Sequence, residues 1–330
     1  MREYTHVDAA LLHGEIIPKA APAVLRGVAA GWPAVQRARA SPEAICAYLL
    51  ACDSGQPVDA LLLPPGEKGR LFYGPGMDGF NFARRRLPVA QVIEQLARYS
   101  QFTDPPSVAV QSAPIEACLP RFGRENHLDG LLGELDTGGN IAGRIWIGNA
   151  IVTPAHFDES DNIACVVAGR RRFTLFPPEQ VGNLYIGPLD YAPTPTPISL
   201  VDFSAPDLAR FPRFARALEA ALVADLAPGD AIYIPPLWWH HVQSSAPLSI
   251  LVNYWWKPAA QQGEALQHTS IRHTPMQAMT IAMDALRAMP PAQRQAWAAL
   301  FGHYVFDAGV DPAAHIPAHR QGVLAKVRPP

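Results

Sequence analysis

Two short segments far apart in the chain constrain its fold more than any other feature: Thr153-Pro154-Ala155-His156-Phe157-Asp158 and Pro235-Pro236-Leu237-Trp238-Trp239-His240. A His-x-Asp pair followed far downstream by a single His after aromatics is the sequence form of a metal site with two imidazoles and one carboxylate. Three such ligands hold one face of a metal and leave the opposite positions open for chemistry. The spacing has a geometric basis. In a strand, residues i and i+2 point the same way, so His156 and Asp158 can both face an interior while Phe157 faces out. The third ligand can come from any other strand brought round by barrel closure, so its distance in sequence is loosely constrained.

An isolated His-x-Asp arises by chance in many chains and is more often a surface pair than a ligand set. Here the context of each half argues for ligands. Ile145-Trp146-Ile147-Gly148 leads into the first half as strand-like residues ending on a turn glycine. Leu226-Ala227-Pro228-Gly229-Asp230 opens the second, a turn that feeds the β-branched and aromatic run Ala231-Ile232-Tyr233-Ile234.

The chain has 330 residues, enough for one large core with an appendage or for two modest domains. With 49% hydrophobic and 17% charged residues it has the balance of a soluble globular protein. A formal net charge of −2 gives no electrostatic reason to expect nucleic acid or an anionic membrane as a partner. The N-terminus lacks a basic segment followed by an apolar run, and no apolar window is long enough to span a bilayer. Cys46, Cys52, Cys118 and Cys165 have no CxxC pairing and read as free thiols in a reducing, cytoplasmic setting.

Three regions follow from the pattern. Residues 1–143 read as a mixed α/β region flanking the barrel. In it Pro22 to Gly27 is a strand, Pro42 to about Ala51 a helix capped by Ser41, and Leu87 to Leu96 a second helix. Residues 144–258 read as the barrel core, with short strands, a hairpin of Asn162–Val167 with Arg172–Phe176 about Ala168-Gly169-Arg170, and an insertion at about 180–224 ending in a helix from Arg213 to Val223. Residues 259–330 return to helix. Met276, Met279, Met283 and Leu286 share one face, as do Trp297, Leu300, Phe301, Tyr304 and Val305, and Pro290-Pro291 separates the two as a helical hairpin. That pair either packs on its own barrel or forms a dimer interface.

The motifs TPAHFDESDN, GRRRFTLFPPEQ, VDFSAPDLARFPRF, LAPGDAIYIPPLWWHHVQS and VNYWW, in this order, resemble the JmjC and cupin-like 2-oxoglutarate oxygenases. Within that group the resemblance is to factor-inhibiting-HIF-type protein hydroxylases and their bacterial relatives, strongest over Arg144 to Lys257. It implies a mainly β fold with flanking helices, a double-stranded β-helix or jelly roll. It implies Fe(II) held by His156, Asp158 and His240, with O2 and 2-oxoglutarate as cosubstrates. His240 and His241 point to opposite faces of a strand, so only one can join the triad. The family pattern puts the ligand directly after the second Trp, which selects His240.

For 2-oxoglutarate, the resemblance assigns Thr153 as a hydroxyl donor, Arg171 as the cation for the distal carboxylate, and Asn162, Asn253 and Trp255 as neighbours. The family has Lys where this chain has Arg171, and a tyrosine that relatives place near the distal carboxylate has no counterpart in Ser107–Ser112. Arg grips a carboxylate with a planar fork rather than a point charge, so the pocket is remodelled. The function implied is a hydroxylase acting on a protein side chain or a small molecule, and its C-terminal helices imply a homodimer. Two other readings stay open: a catalytically silent metal-binding cupin-like protein, and a metal-dependent cupin enzyme that does not use 2-oxoglutarate.

Overall fold

A computed structural model describes residues 1–133, 135, 141–189, 191–256, 275–307 and 311–326. Thirteen strands lie within them: β1 (Arg2–Thr5), β2 (Ala23–Arg26), β3 (Val58–Leu63), β4 (Ala83–Leu87), β5 (Ser107–Pro114), β6 (Gly143–Gly148), β7 (Val152–His156), β8 (Asp161–Ala168), β9 (Arg171–Phe176), β10 (Leu222–Leu226), β11 (Ala231–Ile234), β12 (Trp239–Ser244) and β13 (Ser249–Trp256). They form a nine-stranded sheet in the order β1-β2-β11-β8-β13-β6-β5-β3-β4 and a four-stranded sheet in the order β10-β9-β12-β7. Apart from the parallel β1/β2 pair, neighbouring strands run antiparallel.

The sheets pack face to face over one apolar core. Val166, Phe173, Leu175, Leu226, Ile232, Val242 and Leu251 meet there from both sheets. Period-two alternation explains who goes in: on β9, Arg171, Phe173 and Leu175 are buried while Arg172 is exposed and Thr174 half-buried. Helices cover the outer face of the large sheet. The helix Pro42–Cys52 starts where Ser41 accepts a hydrogen bond from the Ala44 amide, with Pro42 in its first turn. The helix Val89–Tyr99 buries Val89, Val92, Ile93 and Leu96 along one side. The first 114 residues contribute β1 to β5, which extend the large sheet at both ends.

Two local expectations are corrected. Asn162–Val167 and Arg172–Phe176 are strands as expected, but β8 pairs with β11 and β13 while β9 pairs with β10 and β12. The Gly169 turn therefore carries the chain from one sheet to the other and closes no hairpin. The expected helix from Arg213 to Val223 stops at Glu219, and Leu222–Leu226 pairs with β9 instead. There Ala224 and Leu226 point into the core and Val223 and Asp225 out, so alternation on a free sheet edge overrides helix propensity.

The outer face of the small sheet is covered by the insertion and by the chain from residue 296 onward. Phe157, Phe176 and Trp239 pack with Leu184, Phe211, Phe214 and Leu300. Helices form at Pro275–Arg287 and Pro291–Phe301. The second lies on the short helix Pro178–Asn183, so its Leu300 face is covered by its own chain. Residues 257–274, which fall between the barrel and these helices, and the side chains of Met276 and Met279 lie outside what is described.

Candidate metal centre

β7 and β12 are antiparallel neighbours, and their register places His240 directly opposite His156. The two imidazole rings lie 4.2 Å apart between centroids. β7 ends at His156, so Asp158 reaches the site from the loop that follows, and its carboxylate Oδ2 lies 3.7 Å from His240 Nε2. One ligand atom from each of His156, Asp158 and His240 falls within 4.8 Å of the others, and this is the one such group of His, Cys, Asp and Glu found among the described residues. Phe157, between the two ligands, points away and packs edge-on against Trp239. The alternation expected from the sequence thus holds across the strand end.

The donor set fits a metal ion by its hydrogen bonding. His156 Nδ1 bonds the carbonyl of Pro154 at 2.9 Å, and His240 Nδ1 bonds the carbonyl of Trp238 at 3.0 Å. A carbonyl can only accept, so each Nδ1 carries the proton and each Nε2 presents a lone pair to the site. Burial, with His240 second, holds the His156 pKa below its ordinary value and keeps the ring in the neutral form a ligand needs. Asp158 is oriented by Trp255, whose indole N–H donates to Oδ2 at 2.8 Å, and by Asn162, whose amide donates to the same oxygen at 3.3 Å. His241 is buried on the other face of β12, stacked on Phe203 at 4.4 Å, and its pKa is lowered to about 4 by burial and then by Arg70.

Other residues singled out in the sequence occupy two places. Asn253 donates to Asn162 Oδ1 at 2.9 Å, so Asn253, Asn162 and Trp255 form a chain ending on Asp158. Thr153 and Arg171 line a small side cavity of about 20 Å3 with Leu71, Trp146 and Gln111. Thr153 and His156 are three residues apart and would face opposite ways on a regular strand. A bulge at Pro154-Ala155, opposite His241, restores them to one face. Arg171 is buried, its Nε has no hydrogen-bond partner among the described residues, and burial alone lowers its pKa to about 10. Arg170 and Arg172 are exposed, and Arg172 pairs with Asp225 at 2.8 Å.

His156 and Asp158 open onto a cleft of about 810 Å3. Its walls include Gln111, Arg144, Trp146, Trp255 and the insertion segment 192–196, none of which but Trp255 was singled out from sequence as a site residue. Trp146 was findable. Ile145 and Ile147 are core residues, so alternation sends Arg144 and Trp146 to the barrel side. Leu237 was not findable: it is fully buried with φ of 67°, and its amide donates to the carbonyl of Asp158 at 2.8 Å. That left-handed residue ties one half-site to the other just before His240.

Comparison with known proteins agrees with this geometry. The cupin-like domain family matches residues 9–262. Jumonji C domain-containing protein 5 of Drosophila melanogaster is 30% identical over 53% of this chain and 40% of its own length. Human HSPB1-associated protein 1 is 37% identical over 34% of this chain and 22% of its own. The human bifunctional peptidase and (3S)-lysyl hydroxylase JMJD7 is 29% identical over 71% of this chain and 77% of its own. The chain thus spans well under half of the first two relatives and about three quarters of the third. With a match across most of its length and a His-Asp-His centre where the two sheets meet, the chain belongs to the cupin-like (JmjC) domain family.

Proposed function

We propose that the protein is an Fe(II)- and 2-oxoglutarate-dependent oxygenase that hydroxylates a protein side chain or a small molecule. The observation that carries this reading is Arg171. A buried guanidinium whose Nε lacks a partner is costly unless an anion completes it. It sits on the barrel-facing side of β9, in the register of Ser244, four residues along β12 from His240. Four strand residues span roughly 13 Å. An extended Arg side chain covers about half of that span, and the remainder suits a short dicarboxylate reaching back to the ligands. A hydroxylase among the relatives supports the reaction type.

His156, Asp158 and His240 would hold the iron, which when bound supplies the oxygen-activating chemistry. The protein's part is positional. Arg171 and Thr153 hold the far carboxylate. Asn162, itself held by Asn253, and Trp255 fix the orientation of the Asp158 carboxylate, and the apolar barrel excludes water. By the resemblance of its C-terminal helices, we propose also that the chain works as a homodimer.

One observation favours a second reading, a cupin-like protein that holds metal without taking 2-oxoglutarate. The cavity beside Arg171 and Thr153 measures only about 20 Å3, little more than a water needs. Anaerobic titration with Fe(II) and then 2-oxoglutarate separates the two, since the chelate gives a metal-to-ligand charge-transfer band. Arg171→Ala should raise the concentration of 2-oxoglutarate needed for the band by roughly a hundredfold, because a buried charge pair loses one member. Arg171→Lys should recover part of that loss. If the parent binds Fe(II) but 2-oxoglutarate never yields the band, the second reading holds.

A further inference from the structure

We propose that the cleft receives an acidic, extended polypeptide that docks along the free edge of β4. β4 is the outermost strand of the nine-stranded sheet, and among the described residues it pairs only with β3. Its sequence is Ala83-Arg84-Arg85-Arg86-Leu87, and the three arginines are exposed. The register with β3 sets their directions. Arg84 lies opposite Leu61 and Arg86 opposite Asp59, on the face toward the barrel, whereas Arg85 lies opposite Ala60 on the helix-covered face. Arg84 and Asp59 line the same cleft as His156 and Asp158.

Arg144 joins them from β6, held by a bond from its Nη1 to the carbonyl of Ser112 at 3.0 Å. Asp59 is the carboxylate near this group, 4.0 Å from Arg84 and 3.9 Å from Arg86, too far for a good hydrogen bond to either. Along this edge Arg84, Arg86 and Arg144 outnumber Asp59, while Asp158, a metal ligand, and Glu159 are the other carboxylates of the cleft. Glu159 stands elsewhere in the cleft, where it meets the apolar cavity under Trp297.

Charged residues on an edge strand also guard against aggregation, and that role accounts for the run on β4 itself. It does not account for Arg144 on the interior strand β6, nor for Arg84 forming part of the cleft wall beside the metal ligands. A free strand edge offers backbone donors and acceptors at the peptide repeat, and arginines on the cleft side select acidic side chains at alternate positions. Nucleic acid would draw on the positive charge but not on the strand edge.

The meaning of this docking rests on the hydroxylase reading of the cleft, but its measurement does not. The probe is a short fluorescein-labelled peptide of glutamate alternating with valine, followed by anisotropy without turnover. Its counterparts have lysine in place of glutamate, or proline at alternate positions to block strand pairing. The acidic peptide should bind, weaken with salt, and lose roughly tenfold in affinity with Arg84→Ser and Arg86→Ser combined. Arg85→Ser should change affinity far less, and the proline-broken peptide should bind poorly. Equal binding of acidic and basic peptides, an unchanged affinity in the double variant, or equal competition by oligothymidine would overturn the proposal. The Fe(II)–2-oxoglutarate band of the double variant reports on the hydroxylase reading alone, so the two can fail separately.

Discussion

At the scale of single residues, neighbours decide the chemistry more than residue type does. His240 and His241 are identical side chains one position apart. One has its Nδ1 tied to a carbonyl and its Nε2 turned to His156 and Asp158, while the other stacks flat on Phe203. His156→Ala, Asp158→Ala and His240→Ala should each abolish Fe(II) binding in an anaerobic titration. His241→Ala should retain it and lower only the stability of the fold; loss of iron in that variant would reverse the assignment. Substituting Asn162 or Trp255, which orient Asp158, should weaken metal affinity by roughly 10- to 100-fold. Asp161 shows the opposite use of a carboxylate. It is buried, it accepts from the Tyr233 hydroxyl at 2.7 Å, and burial raises its pKa to about 6. A carboxyl with a raised folded pKa gives its full stability below the unfolded value of 3.8 and loses it as pH rises through about 6. Asp161→Asn keeps the acceptor for Tyr233 and removes the charge. In urea unfolding of the metal-free protein it should be more stable than the parent by about 2–3 kcal/mol at pH 7, with the gain vanishing near pH 4. A gain that persists at pH 4 would assign it to packing rather than ionisation.

At the scale of elements, the sequence made strands legible and left their partners obscure. Alternation and turn residues located β8, β9 and β11 closely, because both are local properties. Which strand pairs with which is decided by contacts distant in sequence. The β8–β9 turn looked like a hairpin and is a crossing between sheets. The same limit hid the bulge that brings Thr153 onto the face of His156, since counting by two excludes it. The triad was legible because its spacing is short on one side and marked by aromatics on the other. The cleft wall was not, because Gln111, Arg144 and Thr194 gain meaning only when β5, β6 and the insertion converge. Gly169 carries the sheet crossing. Its φ is +72°, and a Cβ there would come within 2.8 Å of the Leu248 carbonyl oxygen. Gly169→Ala should therefore cost about 1–3 kcal/mol in denaturant unfolding. Three residues on, Arg172→Ala should cost under about 1 kcal/mol, since its partner Asp225 is equally exposed. Equal effects of the two substitutions would show that the crossing tolerates an ordinary turn.

At the scale of the molecule, the remaining question is what the C-terminal helices cover. No helix among the described residues is long and apolar enough to cross a membrane. The helix Pro291–Phe301 uses much of its apolar side internally: Leu300 is buried, and Trp297 and Tyr304 pack on the insertion. Of the residues read from the sequence as apolar faces, Met283 and Val305 stay exposed, and Ile281 and Phe306, which were on neither face, are exposed beside them in sequence, Phe306 by 76%. Scattered exposed apolar residues are ordinary, but four of them between residues 281 and 306 are candidates for a self-complementary contact between two copies. An obligate interface buries roughly 2,000 Å2 or more with an apolar centre, and Met adapts well to such packing. On the proposal of a homodimer, light scattering at micromolar concentration should give twice the chain mass of 35.8 kDa. Met283→Glu combined with Phe306→Glu should halve that mass and leave Fe(II) binding intact, because neither residue touches the His-Asp-His centre. A monomeric mass for the parent protein would end the proposal. A dimer that survives both charges would move the interface to another surface.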